Sequence, residues 1–266
     1  MMWPSAFNGK ERALMREILG RRLQRLRDRF QSLRPDRVQS GGTSSLLEAA
    51  LTCATTFQWP VLPGVGRSST DGARCACPDP DCAVPGAHPF DPGLLAASTD
   101  PRMVAWWWTN RPTAPVLMAT GGSAPCAVSL PAAAAARALV RLDAQGMRLG
   151  PVVATPTRWA LLVAPYSLER LGELLYAKDH VPSSLRFHGE GGYLLLPPSA
   201  ASSGGQVRWE REPRPAPPRP ADPKSPGARA PQAPGTELWL PDVEAVVDAL
   251  VEASSGAPGG GSRLAY

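Results

Sequence analysis

Residues 98–130 read STDPRMVAWWWTNRPTAPVLMATGGSAPCAVSL, and this stretch decides the fold class. It opens on a helix start. Asp100 is an N-cap acceptor, and Pro101 falls at N1, where a missing N–H costs nothing. The helix runs through Trp106, Trp107 and Trp108 and ends before Pro112. Two short apolar runs follow, 116–120 and 126–130, with Gly121 and Gly122 between them. They are too short for helices and read as strands. Helix and strands in close succession predict a mixed α+β domain.

The same reading extends both ways. Upstream, Gly41-Gly42 precedes a helix over 43–58 with Ser44 or Ser45 near its N-cap and Leu46, Leu47, Ala50, Leu51 and Ala54 as its buried face. Residues 59–63 form a short strand. Downstream come an Ala-rich helix at 132–145, strands at 152–155 and 159–163, and a helix at 167–178 with Leu168, Leu171, Leu174 and Leu175 as its core stripe. Strands at 192–196 and 206–209 complete the set. Nine prolines between 213 and 234 then forbid a packed core and predict an extended linker. Pro241 opens a last helix, 242–253, with Val243, Val246, Val247, Leu250 and Val251 on one face, and a Gly-rich flexible tail follows. The expected organisation is a basic segment at 1–42, a domain at 43–212 with a Cys/His loop at 70–90, a linker at 213–240, and a C-terminal helix and tail at 241–266.

The chain has 266 residues and a net charge of +5, with 43% hydrophobic residues, enough for a real core. The charge is local. Residues 10–34 hold nine basic groups and three acids, so this segment carries +6 and the rest is near neutral. Met15, Leu19, Leu23, Leu26, Phe30 and Leu33 recur at helical spacing there, with arginines on the other faces. Such a helix is a solvated face docking on the domain or a partner, or a phosphate contact through Arg21, Arg22, Arg25 and Arg29, or a membrane-surface element. No run of about 18 apolar residues lacks Pro, Gly or charge, and the N-terminus has no apolar leader pattern. These features predict a non-secreted, cytoplasmic chain that does not cross a membrane.

Cys75, Cys77, Cys82 and His88 fall within 14 residues. Three thiolates and an imidazole on one loop can close a structural tetrahedral zinc site; free thiols and a disulfide are the other readings. Cys53 and Cys126 stand in apolar contexts and read as buried fillers. The turn Gly189-Glu190-Gly191-Gly192 either satisfies backbone geometry or lets amides approach a phosphate. Three successive tryptophans on a helix span about 200°, so one of them is exposed or at an interface, against a partner or a base. His180 and His188 have no local ligand pattern and read as structural. No GxSxG, P-loop or HExxH is present.

Taken in order, residues from about 46 to 212 resemble the bifunctional DNA primase/polymerase N-terminal domain, the Prim-Pol branch of the archaeo-eukaryotic primase superfamily. The likeness rests on Leu47 to Ala54 followed by Gln58 to Pro63, on the Cys/His loop ending at Pro89, and on Thr99-Asp100-Pro101 with Trp106-Trp107 and Pro112. Ala119-Thr120-Gly121 and the segment from Gly189 to Ser199 complete it. The resemblance implies a primase-type α+β fold with a sheet related to RNA-recognition motifs. It also implies an Asp-x-Asp holding two divalent metals, Mg²⁺ or Mn²⁺, on the strand after Gly121. This chain has Ser129 and Pro131 there. Where the family has a phosphate-contacting histidine strand, it reads Thr155-Pro156-Thr157-Arg158-Trp159. The family's third acid falls near Arg186, and His188 stands for a family arginine. From 110 to 200 the only acids are Asp143, Glu169, Glu173, Asp179 and Glu190, none at paired i, i+2 positions.

The expectation is therefore a primase/polymerase-like scaffold without nucleotidyl transfer, binding DNA or a replication protein. Arg158, Arg186, His188, Gly191 and Gly192 would draw phosphates to the old nucleotide cleft. The alternatives are an active primase/polymerase with atypical ligands, and a protein-interaction module that uses the tryptophans and the N-terminal helix.

Overall fold

The computed structural model describes residues 43–68, 74–214 and 238–255. The expected basic helix, with Arg21, Arg22, Arg25 and Arg29, lies outside the described residues, as do most of the Pro-rich stretch and the tail. Among the described residues there are five α-helices, α1 (Thr43–Thr55), α2 (Pro101–Asn110), α3 (Ala132–Ala144), α4 (Leu168–Tyr176) and α5 (Val243–Ser255). Eight strands accompany them: β1 (Val61–Pro63), β2 (Val116–Ala119), β3 (Cys126–Pro131), β4 (Val152–Ala154), β5 (Arg158–Val163), β6 (Arg186–His188), β7 (Tyr193–Leu195) and β8 (Arg208–Arg211). The strand at 186–188 was not expected from the sequence. The α+β class holds.

The strands form two antiparallel sheets, β1-β2-β7 and β6-β3-β5-β4-β8. The larger sheet contains a strand–helix–strand–strand–helix–strand unit from β3 to β6, with spatial order β6-β3-β5-β4. Strand β8 joins the β4 edge through a register shift at Val152/Val153.

Alternation along the strands divides the core in two. Cys126, Val128 and Leu130 of β3 turn toward α3 and α5 and pack with Ala138, Leu142, Val246 and Leu250. Ala127 of β3, with Ala160 and Leu162 of β5, turns to the other face. That face joins the core under α1 and α2, where Trp59, Leu62, Trp108 and Leu117 are buried. Helix α2 begins as the sequence predicts, with the Asp100 carboxylate accepting from Arg102 N at 2.8 Å and Pro101 at N1.

Helix α5 packs against α3 and buries Val243, Val246, Val247 and Leu250, so it is built into the helical layer of the large sheet. Ion pairs Arg141–Glu252, Arg170–Glu244 and Lys178–Asp248 rim it; being exposed, they contribute little. With α3 and α5 covering the sheet, α4 has little apolar surface left to meet. Of its expected stripe only Leu171 is buried, Leu174 and Leu175 are half-buried, and Leu168 is exposed.

The Thr120-Gly121 and Gly189–Gly192 motifs meet in space. Thr120 Oγ1 donates to Gly189 O at 2.6 Å and Thr120 N donates to Gly192 O at 3.0 Å. Gly121 has φ +87°, and a Cβ there would stand 2.4 Å from Glu190 Cα. Gly121→Ala is therefore expected to cost at least about 2 kcal/mol, and more than Gly122→Ala. The neighbouring Gly122 also has positive φ, +64°, but open space around its Cβ. Denaturant midpoints check this, and equal losses in the two variants would discount the close approach.

Candidate functional site

The register of β3, β5 and β6 builds the first candidate site. Ser129 pairs with Arg186 on one side and Ala160 on the other, Pro131 pairs with Arg158, and Ala127 pairs with His188. Residues opposite one another share a face, so Ser129, Pro131, Arg158, Arg186 and His188 belong to one face of the sheet. Above it is a cavity of about 500 Å³. Ser129, Arg158, Arg186, His188, Gly191 and Gly192 all line it, which gathers the expected cleft residues in one place.

Ser129 Oγ and His188 Nε2 lie 2.9 Å apart. Arg158 Nη2 donates to Ser129 O at 2.8 Å and to Ser184 O at 2.7 Å, while its buried Nε has no partner. Arg186 is exposed at the rim. Among the described residues neither arginine meets a carboxylate. Burial lowers the His188 imidazole pKa; a hydrogen bond to the Tyr193 backbone resists this, and the charges of Arg158 and Arg186 add to the lowering. His188 is thus neutral near pH 7. Arg158 is lowered too, by burial and then by Arg186, but an arginine stays charged. Trp159, at the family's histidine place, packs partly against the α3/α5 core residues and also borders the cavity. Arg158 supplies the charged group of that strand end to the cleft, beside Thr155 and Thr157.

Sequence reasoning grouped Arg158, Arg186, His188, Gly191 and Gly192 at the cleft through the family likeness but missed two contacts, Ser129–His188 and the Arg158 anchor on Ser184 O. No signal in the sequence marks the strand that makes the first, since Arg186-Phe187-His188 is too short to show a period.

The second candidate site is the Cys/His loop. The ligand atoms of Cys75, Cys77, Cys82 and His88 lie within 4.8 Å of one another. His88 Nε2 is 3.2 Å from Cys75 Sγ and 3.4 Å from Cys82 Sγ. His88 Nδ1 donates to Pro89 O at 2.8 Å, which leaves Nε2 as a lone-pair donor aimed at the sulfurs. Tetrahedral zinc with Zn–S near 2.3 Å requires ligand atoms about 3.8 Å apart, so the donor set fits such an ion. Burial opposes the Cys75 thiolate, but hydrogen bonds from the Cys77 and Gly86 backbones and from the Cys77 and His88 side chains outweigh it, lowering its pKa to about 6. All five cysteines are free thiols, and Cys53 and Cys126 are buried as expected. Backbone bonds Val65 N to His88 O and Gly66 N to Gly86 O fasten the loop to the segment after β1. Ala83, Val84 and Ala87 of the loop form a wall of the cleft.

Among the described residues no other group of three or more His, Cys, Asp or Glu side chains gathers as a metal site. Among the described residues no acidic side chain lines the cleft. Mg²⁺ or Mn²⁺ held by paired carboxylates therefore does not fit the residues present, since a serine hydroxyl already engaged with His188 and a proline offer no charge. Among the described residues no helix is long and apolar enough to cross a membrane.

The family model described as "Bifunctional DNA primase/polymerase, N-terminal" matches residues 50–223. No curated protein and no solved structure matches the chain.

Proposed function

From the chain's membership in the bifunctional DNA primase/polymerase N-terminal family, we propose that it is a nucleic-acid-binding relative that has lost nucleotidyl transfer. The observation that carries this is the cleft lining: two arginines, a neutral histidine and, among the described residues, no carboxylate. Nucleotidyl transfer needs metals to offset charge on the migrating phosphates and to activate the primer hydroxyl. A cationic cleft can still bind phosphates but cannot hold those ions. Binding is assigned to Arg158, Arg186, His188, Gly191 and Gly192 at the cleft of the 43–212 domain, and to Arg21, Arg22, Arg25 and Arg29 on the segment 1–42 before it. The strand order of the β3–β6 unit supports the relation to RNA-recognition motifs that the family likeness implies.

Primer extension tests the proposal. No template-dependent synthesis is expected with either Mg²⁺ or Mn²⁺. Synthesis that disappears when any one of Asp143, Glu169, Glu173, Asp179 or Glu190 is changed to Ala would overturn it.

We further propose that the ion of the Cys/His loop is zinc and that its role is structural. Four protein ligands complete the coordination and leave no position for a reacting water.

A further inference from the structure

The family's metals do not fit this cleft, and the residues that stand in their place point to a different chemistry. We propose that the cleft floor binds a phosphate group directly, without a divalent cation, through Arg158 and Arg186, with Ser129 and His188 beside them. The inference rests on the reading of the cleft as catalytically silent and names what it binds.

Three observations carry it. The register sets Arg158 opposite Pro131 and Arg186 opposite Ser129, the two positions where the family likeness expects carboxylates. Negative groups that would recruit a cation are thus replaced by flanking positive groups that recruit an anion. Second, the two guanidinium groups are close enough that Arg186 disfavours the Arg158 charge, and among the described residues no carboxylate relieves either. Unrelieved like charge beside a concave, partly enclosed space favours an anion entering it. Third, Arg158 is held by the Ser129 and Ser184 carbonyls, yet its buried Nε lacks an acceptor. The side chain is anchored through Nη2 while part of its donor capacity goes unused. A surface arginine satisfied by water would show neither feature.

The shape suits phosphate. The cavity of about 500 Å³ lies in the range of small-molecule sites. Guanidinium groups donate in a fork that matches phosphate oxygens. The exposed Gly191, φ +77°, lines the same cavity and keeps that wall free of a side chain. A single carboxylate would leave most of these donors unused; a phosphate or polyphosphate would not. The phosphate could belong to a free nucleotide or to the 5′ end of a strand.

Calorimetric titration of the full chain distinguishes these. The buffer is freed of divalent cations on a chelating resin before the protein is added, so that metal bound in the Cys/His loop is not stripped by a soluble chelator. Probes are tripolyphosphate, dATP, and one oligonucleotide with and without a 5′-phosphate. Binding of tripolyphosphate or of a phosphorylated probe is expected in this buffer, and added Mg²⁺ should leave it unchanged or weaken it. dATP binding names a free nucleotide; preference for the 5′-phosphorylated oligonucleotide over its unphosphorylated form names a strand end. Arg186→Gln, at an exposed position that folding should tolerate, is expected to weaken binding by about tenfold or more. Arg158→Ala removes the anchored group but risks the fold, so Arg186 carries the test. Binding that needs added Mg²⁺ or Mn²⁺, binding unaffected by Arg186→Gln, or no binding of any probe overturns the inference. None of these results alters a negative primer-extension result, whereas extension activity would remove the reading on which the inference rests.

Discussion

Protein purified without chelator is expected to carry one zinc ion per chain. Changing two ligands together, Cys82→Ser with His88→Ala, is expected to weaken zinc binding by about four orders of magnitude. The magnitude follows from the free energy of structural zinc sites, on the order of 10–16 kcal/mol over four ligands, or about two orders of affinity per ligand. The geometry supports the full value, because all four ligand atoms already cluster within 4.8 Å and His88 is oriented by Pro89 O. Little reorganisation is left for the ion to drive. Elemental analysis gives the stoichiometry, and competition with a chromophoric chelator gives the affinity. Cobalt substitution should give the charge-transfer absorption of thiolate ligands. A folded, metal-free protein, or a cobalt spectrum lacking thiolate bands, would sink the assignment.

The same experiment reaches the cleft. Ala83, Val84 and Ala87 lie between or beside the ligands and wall the cavity, so the loop that holds the ion also shapes the proposed phosphate site. The double variant should therefore lose phosphate affinity although it changes no residue in the cleft floor.

How much of this was legible in the sequence depended on whether the signal was local. The Asp100-Pro101 helix start, the four clustered ligands and the Ala-rich helix are written in neighbouring residues, and each was readable. The Cys/His ligands needed only a short loop to meet. The cleft was legible only through the family likeness, because Ser129, Arg158 and His188 come together across β3, β5 and β6. Strand β6 has three residues, too few for a periodic signal, and its pairing with β3 depends on a sheet the sequence does not display. The stripe of α4 is only partly buried, with Leu171 inside, Leu174 against the core and Leu168 exposed, for a related reason. Its Leu stripe is regular, but α5, more than sixty residues later, packs against α3 in the layer over the sheet. Hydrophobic spacing shows which face could be buried, not whether another helix has taken the space.

The tryptophan triplet shows the same limit and gives the largest expected loss of stability. Successive helical positions cannot share one core, and the structure divides them: Trp108 and Trp107 are buried, and Trp106 is 61% exposed. Trp108→Ala is expected to cost about 4 kcal/mol or more. It deletes a large side chain from a site with no water access, a loss of about 3–5 kcal/mol. It also removes the Nε1 donor to Ala114 O at 2.9 Å, leaving a carbonyl in a buried segment unpaired. Against a total of about 5–15 kcal/mol this lowers the melting temperature by about 10 °C or more. Trp106→Ala should change stability by no more than about 0.5 kcal/mol. Thermal and denaturant unfolding of both variants decide the matter, and equal losses would contradict the division. The consequence extends beyond the core, because Ala114 leads into β2. Pro115 O accepts from Gly64 N at the root of the Cys/His loop, and Val116 N donates to Ser199 Oγ beyond β7. One indole hydrogen bond thus fixes the end of α2 to the junction of the metal loop and the small sheet. A Trp108→Ala protein that still folds should hold zinc less tightly than Trp106→Ala, although neither tryptophan touches the ligands.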